Sequence, residues 1–365
     1  MDNRILIPVW ETYLKGETTV AIYGCGQFGK LWFRYLSEDM KMVPEFFVDQ
    51  NPEKQGTQIF GIPVVSLEQL AKRANGRIDL IVTPLSLQTD PVSRAGLEES
   101  CAQSKLTPTF IPVRLSSALA MRYEIDHENC LNVIDMLHDD FSKASYYEYI
   151  RSKLAGESYR SHYFDYTQQY LADDLFTITD QDFIVDCGAY DGDTLTNFTR
   201  SYPNLRGIAS FEPTLDTFKK LEITAERLGK ENIRLFNMAT GDQNTRVNFS
   251  HTGIASANRI LDGGEETIQM CTLDEVLLEE RPTFVKMDVE GSELISLNGA
   301  KRIIAENKPI LAICIYHKTE DLFEIPYFIK REFPAYRLYV RKYSNDPYEL
   351  VLYAVPPHRA ADHVI

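Results

Sequence analysis

The sequence predicts an α/β protein of two doubly wound domains joined by a helical connector, and three observations carry that prediction. Strand–glycine turn–helix modules occur twice, at VAIYGCGQFGKLWFRYL (20–36) and at FIVDCGAYDGDTLTNF (183–198). Between them, much of 116–180 places apolar residues at helical spacing with few breakers. The 365 residues also exceed one ordinary core and suit two. The expected divisions are therefore 1–115, 116–180 and 181–365.

In the first module, Val20–Tyr23 reads as a buried strand, and Gly24, Gly26 and Gly29 match G-x-G-x-x-G ahead of an amphipathic helix. The second strand, PEFFVDQN, ends at Asp49, about 20 residues past the last glycine, where a dinucleotide fold places the acid that accepts a ribose diol. Further strands are expected at DLIVTP (79–84) and PTFIP (108–112). These four residues form a second candidate nucleotide site. The alternative reading is that the glycines only let strand and helix pack closely. In outline the segment resembles the N-terminal Rossmann-like domains of sugar-modifying enzymes in surface-polysaccharide pathways, a resemblance that fixes no ligand.

The connector ends in a cluster of aromatics, Tyr159, Tyr163, Phe164, Tyr166 and Tyr170. Packing between elements is the expected role for most of them, with one or two left to wall an acceptor pocket. The second domain then offers strands at FIVDC, IASFE, IRLFNMA (233–239), FVKMDV and LAICIY, and a closing antiparallel pair, RLYVRKY and ELVLYAV. Five strands separated by helices and followed by a hairpin give the outline of a class I methyltransferase sheet.

Charge and composition narrow the partners. A formal net charge of −15 argues against a nucleic-acid or anionic-membrane surface. The six cysteines are scattered without a C-x-x-C pair, and no apolar run approaches the roughly 18 residues of a spanning helix. The N-terminal apolar stretch is too short for a signal peptide. The expectation is a reduced, cytoplasmic enzyme with a small-molecule or glycan acceptor and no nucleic-acid or membrane partner. Homo-oligomerisation is left open.

The second glycine turn carries Asp186, Asp191 and Asp193 and no Lys or Arg, which suits a cationic ligand and repels a triphosphate. S-adenosylmethionine has a sulfonium, an ammonium and a ribose diol, and Gly188 and Gly192 would let the backbone approach its methionyl part. The next strand ends in Phe211-Glu212-Pro213, with Glu212 placed to accept the ribose hydroxyls. The third ends in Asn237-Met238-Ala239-Thr240-Gly241-Asp242, with Asp242 placed for the adenine amino group.

VDCGAYDGDT, FEP, the 237–242 run, TLDEVL (272–277) and above all FVKMDVEGSELISLNGA (284–300) resemble the FkbM family of methyltransferases over roughly residues 160–355. The resemblance implies a class I fold, S-adenosylmethionine as methyl donor, and a sugar-type acceptor. It also implies that Tyr190, where the general G-x-G-x-G pattern has its middle glycine, lies near the cofactor. Cofactor contacts are therefore expected from Asp186, Gly188, Tyr190, Asp191, Gly192, Glu212, Pro213, Thr240, Asp242 and Asp288.

For chemistry, Asp288 and Glu290 stand at the fourth strand's C-terminal edge, and His317 follows the fifth. His317 is the expected general base, with an unperturbed pKa near 6.5. Lys286 is expected to pair with one of these acids, and Glu293 to face the dipole of its own helix. A divalent ion held by Asp288, Glu290 and His317 is left open beside a plain acid–base site. The rival to O-methyl transfer on a sugar, glycan or related metabolite is a nucleotide-sugar- or NAD-binding protein, or an oxidoreductase, working through the first domain.

Overall fold

A computed structural model describes residues 5–73, 77–84, 86–113, 115–116, 118–119, 126–155, 159, 169–250, 259–260, 266–345 and 348–361. The chain forms two compact units: Met1–Ile125 with Ile150–Ser158, and Asp126–Tyr149 with Tyr159–Ile365. The aromatics Tyr163, Phe164 and Tyr166 lie outside the described residues.

The first unit is built on six strands: β1 (Thr18–Tyr23), β2 (Phe46–Val48), β3 (Gln58–Ile59), β4 (Ile62–Val65), β5 (Arg77–Val82) and β6 (Leu106–Phe110). Their order is β3-β4-β2-β1-β5-β6, parallel except for the β3–β4 hairpin. Apolar residues on both faces of β1 explain this. Val20 and Ile22 pack with Leu31, Trp32 and Ile111 on one side, while Ala21 and Tyr23 pack with Leu70, Leu80 and Leu97 on the other.

In the second unit, β7 (Phe183–Cys187), β8 (Gly207–Phe211), β9 (Ile233–Phe236), β14 (Phe284–Met287), β15 (Ile310–Cys314), β16 (Arg337–Lys342) and β17 (Leu350–Val355) make one sheet. Its order is β16-β17-β15-β14-β7-β8-β9, with β17 the antiparallel strand. The order reverses between β7 and β14, the crevice where open α/β sheets bind ligands. A smaller sheet joins β10 (Ala239–Thr240), β11 (Thr245–Ser250), β12 (Arg259–Ile260) and β13 (Glu266–Cys271). The run 233–239, expected as one strand, is therefore split: β9 stays in the main sheet and β10 leaves it to pair with β13.

All six cysteines are free and buried. Among the described residues, no helix is long and apolar enough to cross a membrane.

Residues 126–149 pack into the second unit, so that unit begins well before the expected 181. Tyr146 donates to the Leu322 carbonyl at 2.8 Å, Val340 N–H donates to Ser142 Oγ at 2.9 Å, and His138 N–H donates to Leu338 O at 2.8 Å. A chain starting at residue 126 should fold cooperatively. One starting at 158 should lose these buried partners and melt well below it, by circular dichroism. Equal melting temperatures would show that 126–149 is dispensable.

Candidate active site

The switch-point crevice is a cleft of about 700 Å³. Of the residues expected at the cofactor, Gly188, Tyr190, Asp191, Gly192, Glu212, Pro213, Thr240 and Asp288 line it. Glu212 organises its glycine-turn side. One carboxylate oxygen accepts the Tyr190 N–H at 3.1 Å and the other accepts the Thr214 N–H at 2.9 Å. Asn237 braces the same turn, donating through Nδ2 to the carbonyls of Glu212 (2.9 Å) and Pro213 (3.0 Å). Tyr190 adopts φ +48°, so the bulky residue expected at this point occupies a left-handed turn with its ring partly exposed.

Several expectations are corrected. Asp242 is exposed and Asp186 fully buried, and neither lines the cleft. Asp186 instead lies 3.0 Å from the buried Lys286 ammonium, which also donates to the Gly188 carbonyl at 2.7 Å. Burial opposes the charge on Lys286, but Asp186, Asp288 and Asp193 more than offset it and raise its pKa. Gly188 and Gly192 line the cleft, and the fold's own packing also requires both. A Cβ on Gly188 would stand 1.8 Å from the Asp288 carbonyl oxygen, and one on Gly192 would stand 2.9 Å from Thr224 Cγ2.

The β14 end gathers the chemistry. Asp288 accepts from Tyr170 Oη at 3.1 Å and Tyr316 Oη at 3.2 Å, and His317 Nε2 lies 3.3 Å away. His317 Nε2 is also 3.6 Å from Glu290, and its Nδ1 is 2.9 Å from Glu293. The ring sits among three carboxylates, with the contact to Glu293 the shortest. Burial lowers the His317 pKa, but Glu293, Asp288 and Glu290 outweigh it and push it up to about 9. His317 is therefore protonated at neutral pH, does not line the cleft, and cannot accept a proton there. The expected base titrating near 6.5 is overturned by its three carboxylate neighbours.

Glu290 takes the opposite course. It lines the cleft with φ +54°, ahead of Gly291 at φ +90°, so the chain turns sharply and leaves the carboxylate at the cleft wall. Burial, with Asp288, Glu293 and Glu349, pushes its pKa up to about 7 against the pull of His317. Asp288 stays ionised. Burial raises its pKa, but Lys286, His317 and Tyr170 more than offset this and lower it.

Asp288, Glu293 and His317 bring ligand-type atoms within 4.8 Å of one another. Ion pairing within the protein already accounts for this cluster: His317 turns Nδ1 to Glu293 and Nε2 to Asp288 and Glu290.

Glu293, expected to face the dipole of its own helix, does open the helix Glu293–Asn298. What the sequence did not signal is that it is fully buried, accepts the Val289 N–H at 2.9 Å and lies 2.9 Å from His317 Nδ1. Sequence reasoning missed Tyr316, although its place beside His317 at the end of β15 was a usable signal. Tyr170, from the aromatic cluster, does reach the cleft, and Gln169 and Glu349 line it nearby.

Residues 186–346 match the family model described as the methyltransferase FkbM domain. A solved methyltransferase FkbM from Methylobacillus flagellatus KT superposes with a TM-score of 0.59 at 22% identity, covering 95% of this chain and 93% of that one. The redox-sensing transcriptional repressor Rex of Anoxybacillus flavithermus is 30% identical over 117 residues, 31% of this chain. The chain spans about half the length of that relative, 53%. Sheet order, switch-point cleft and family model converge on a methyltransferase, with residues 186–346 the segment that matches the methyltransferase FkbM domain.

Proposed function

We propose that the chain transfers a methyl group from S-adenosylmethionine to a hydroxyl of a neutral sugar, glycan or related metabolite. The observation that supports this reading best is that one cleft is lined both by Glu212, at the glycine turn, and by Glu290, whose pKa is pushed up to about 7. S-adenosylmethionine supplies a methyl already activated by its sulfonium. The protein's tasks are to bind it, hold the acceptor oxygen in line and remove its proton.

The side chains divide these tasks. Glu212 keeps a lone pair on each oxygen beyond the N–H it already accepts, enough for a ribose diol. Glu290 accepts the acceptor's proton. Buried His317 holds the carboxylates around it, and Tyr170 and Tyr316 fix Asp288. The cleft is lined by Asp191, Asp193, Glu212, Asp288, Glu290 and Glu349 against the cations Arg200 and Lys286. That balance disfavours an anionic acceptor and suits the neutral polyol and the cationic donor.

Methyl transfer assayed across neutral sugars, uronic acids and sugar phosphates should yield methyl ethers only of the neutral set. Preferred methylation of a sugar phosphate would refute the acceptor assignment. Glu212→Ala should weaken S-adenosylmethionine by about 1.5–3 kcal/mol, the range for a hydrogen bond to a charged group. Calorimetry giving wild-type affinity would remove Glu212 from the ribose site.

A further inference from the structure

The first unit has its own cleft, of about 550 Å³, which methyl transfer leaves unused. It lies beyond the C-terminal ends of β1, β2 and β5, lined by Tyr23, Gly26, Asp49 and Thr83 among others. The three glycines of its turn are not equivalent. A Cβ on Gly29 would stand 1.9 Å from the Gly24 carbonyl oxygen, and one on Gly24 would stand 2.8 Å from Pro84 Cγ, so the fold itself requires both. Gly26 has an ordinary φ of −75°, and a Cβ there would meet nothing within 4 Å. The protein's own packing gives no reason for a glycine at 26. The space its missing side chain leaves belongs to the cleft.

Two further features border the same space. The helix Gln27–Arg34 starts directly after Gly26, with no side-chain cap and no acidic residue in its first turn. Tyr23 is only 4% exposed and lines the cleft, yet its hydroxyl has no aligned hydrogen-bond partner; Gln50 stands beside it without meeting that geometry. Leaving such a donor buried without a partner is costly, and a ligand oxygen would relieve that. Opposite the turn, Asp49 is pinned at the β2 end. Its Oδ2 accepts from Cys25 N–H at 3.0 Å and Lys54 Nζ at 3.2 Å, and its Oδ1 accepts from Asn51 N–H at 3.0 Å.

We propose that this cleft binds a nucleoside diphosphate whose ribose keeps both hydroxyls free. The diphosphate lies over Gly26 at the start of the uncapped helix, where aligned N–H groups favour an anion and only a glycine lets it approach. The diol lies against Asp49, whose charge attracts hydroxyl donors and repels a phosphate at the 2′ position. Lys54, nearly half exposed, swings off Asp49 as the diol arrives. Two sources carry this chemistry, a nicotinamide dinucleotide and a nucleoside-diphospho-sugar.

The test is calorimetry on the full chain with NADH, UDP-glucose, NADPH and AMP. Saturable binding of NADH or of UDP-glucose supports the site, and the tighter of the two names the source. NADPH should bind at least tenfold more weakly than NADH, and AMP should be weaker than either diphosphate. Gly26→Asp is the decisive variant, because Asp is a better N-cap than Gly, so the fold should hold while its carboxylate meets the diphosphate. It should lose at least 30-fold in diphosphate affinity, with an unchanged or raised melting temperature and unchanged S-adenosylmethionine binding. No heat from either diphosphate at millimolar concentration overturns the proposal. So does a folded Gly26→Asp that binds them as tightly as wild type. NADPH binding as tight as NADH overturns the assignment of the diol to Asp49.

Discussion

Glu290→Gln should slow methyl transfer to an accepted sugar by about 10²–10⁴-fold, the usual contribution of a positioned general base. The substitution keeps the side chain's shape and removes its ability to take a proton, so S-adenosylmethionine affinity should stay within about twofold. In the wild type, Glu290 is protonated below its pKa of about 7 and a base above it, so kcat should rise with pH through about 7. His317 stays charged until about pH 9, so its pull on Glu290 is constant across that limb. His317→Gln removes the cation among Asp288, Glu290 and Glu293. Glu290 should then hold its proton more tightly, moving the rising limb of the pH–rate profile to higher pH. Near-wild-type turnover by Glu290→Gln would return the base to another group. An unmoved limb in His317→Gln would show that the two side chains are not coupled.

Arg341→Ala should destabilise the protein by about 2–3 kcal/mol, the loss of charge-assisted hydrogen bonds from a buried guanidinium, discounted because Asp139 and Asp174 keep a quarter to a third of their surface in water. Arg341 is 3% exposed on β16 and donates to Asp174 through Nε (2.9 Å) and Nη2 (2.7 Å). It also donates to Asp139 at 2.8 Å and to Ser142 Oγ at 2.8 Å, tying the start of the helix Asp140–Ala155 to the sheet. Removing it would take from Asp139 and Asp174 the cation they share. Burial raises the Asp139 pKa, but Arg341 and Ser142 outweigh it and lower it below 3.8. A depressed carboxylate adds stability above its unfolded pKa and loses it as pH falls through the folded one. Wild type should therefore lose part of its margin below about pH 4, and Arg341→Ala should lose less there. Urea midpoints at pH 7 and pH 3 measure both effects. A loss under about 1 kcal/mol at pH 7 would show that the cluster behaves as a solvated surface network.

Much of the architecture was legible in the order of residues. Alternating apolar strands, glycine turns and helices specify parallel sheets, because a strand buried on both faces reads as a continuous apolar run, as in Val20–Tyr23 and Phe183–Val185. The terminal pair 337–342 and 350–355 was legible from a short polar turn that separates two strand-like runs, the second of them wholly apolar. Carboxylates at strand ends were legible as a cleft, since function sits at that edge of such sheets. Glu212, Asp288 and Glu290 all line it.

Other features depend on which groups meet across the fold. Residues 126–149 read as connector helix, yet they pack into the second unit, because the contacts of Tyr146, Ser142 and Asp139 lie about 175–200 positions away. Gly188 read as room for a ligand, and only the Asp288 carbonyl beside it shows that the sheet needs it. Gly26 read as one of three equivalent glycines, and only the empty space around it sets it apart. His317 read as a neutral base, because an isolated imidazole titrates near 6.5. The sequence by itself determined two parallel α/β sheets, an acidic strand-end cleft and the residues available to it. Only the tertiary structure decided that Glu293, Asp288 and Glu290 converge on His317, which keeps the imidazole charged and passes the near-neutral pKa to Glu290. The physical reason is range: strand periodicity is set by neighbours in the chain, whereas a pKa is set by burial and by charges within a few ångströms that the chain brings together from distant positions.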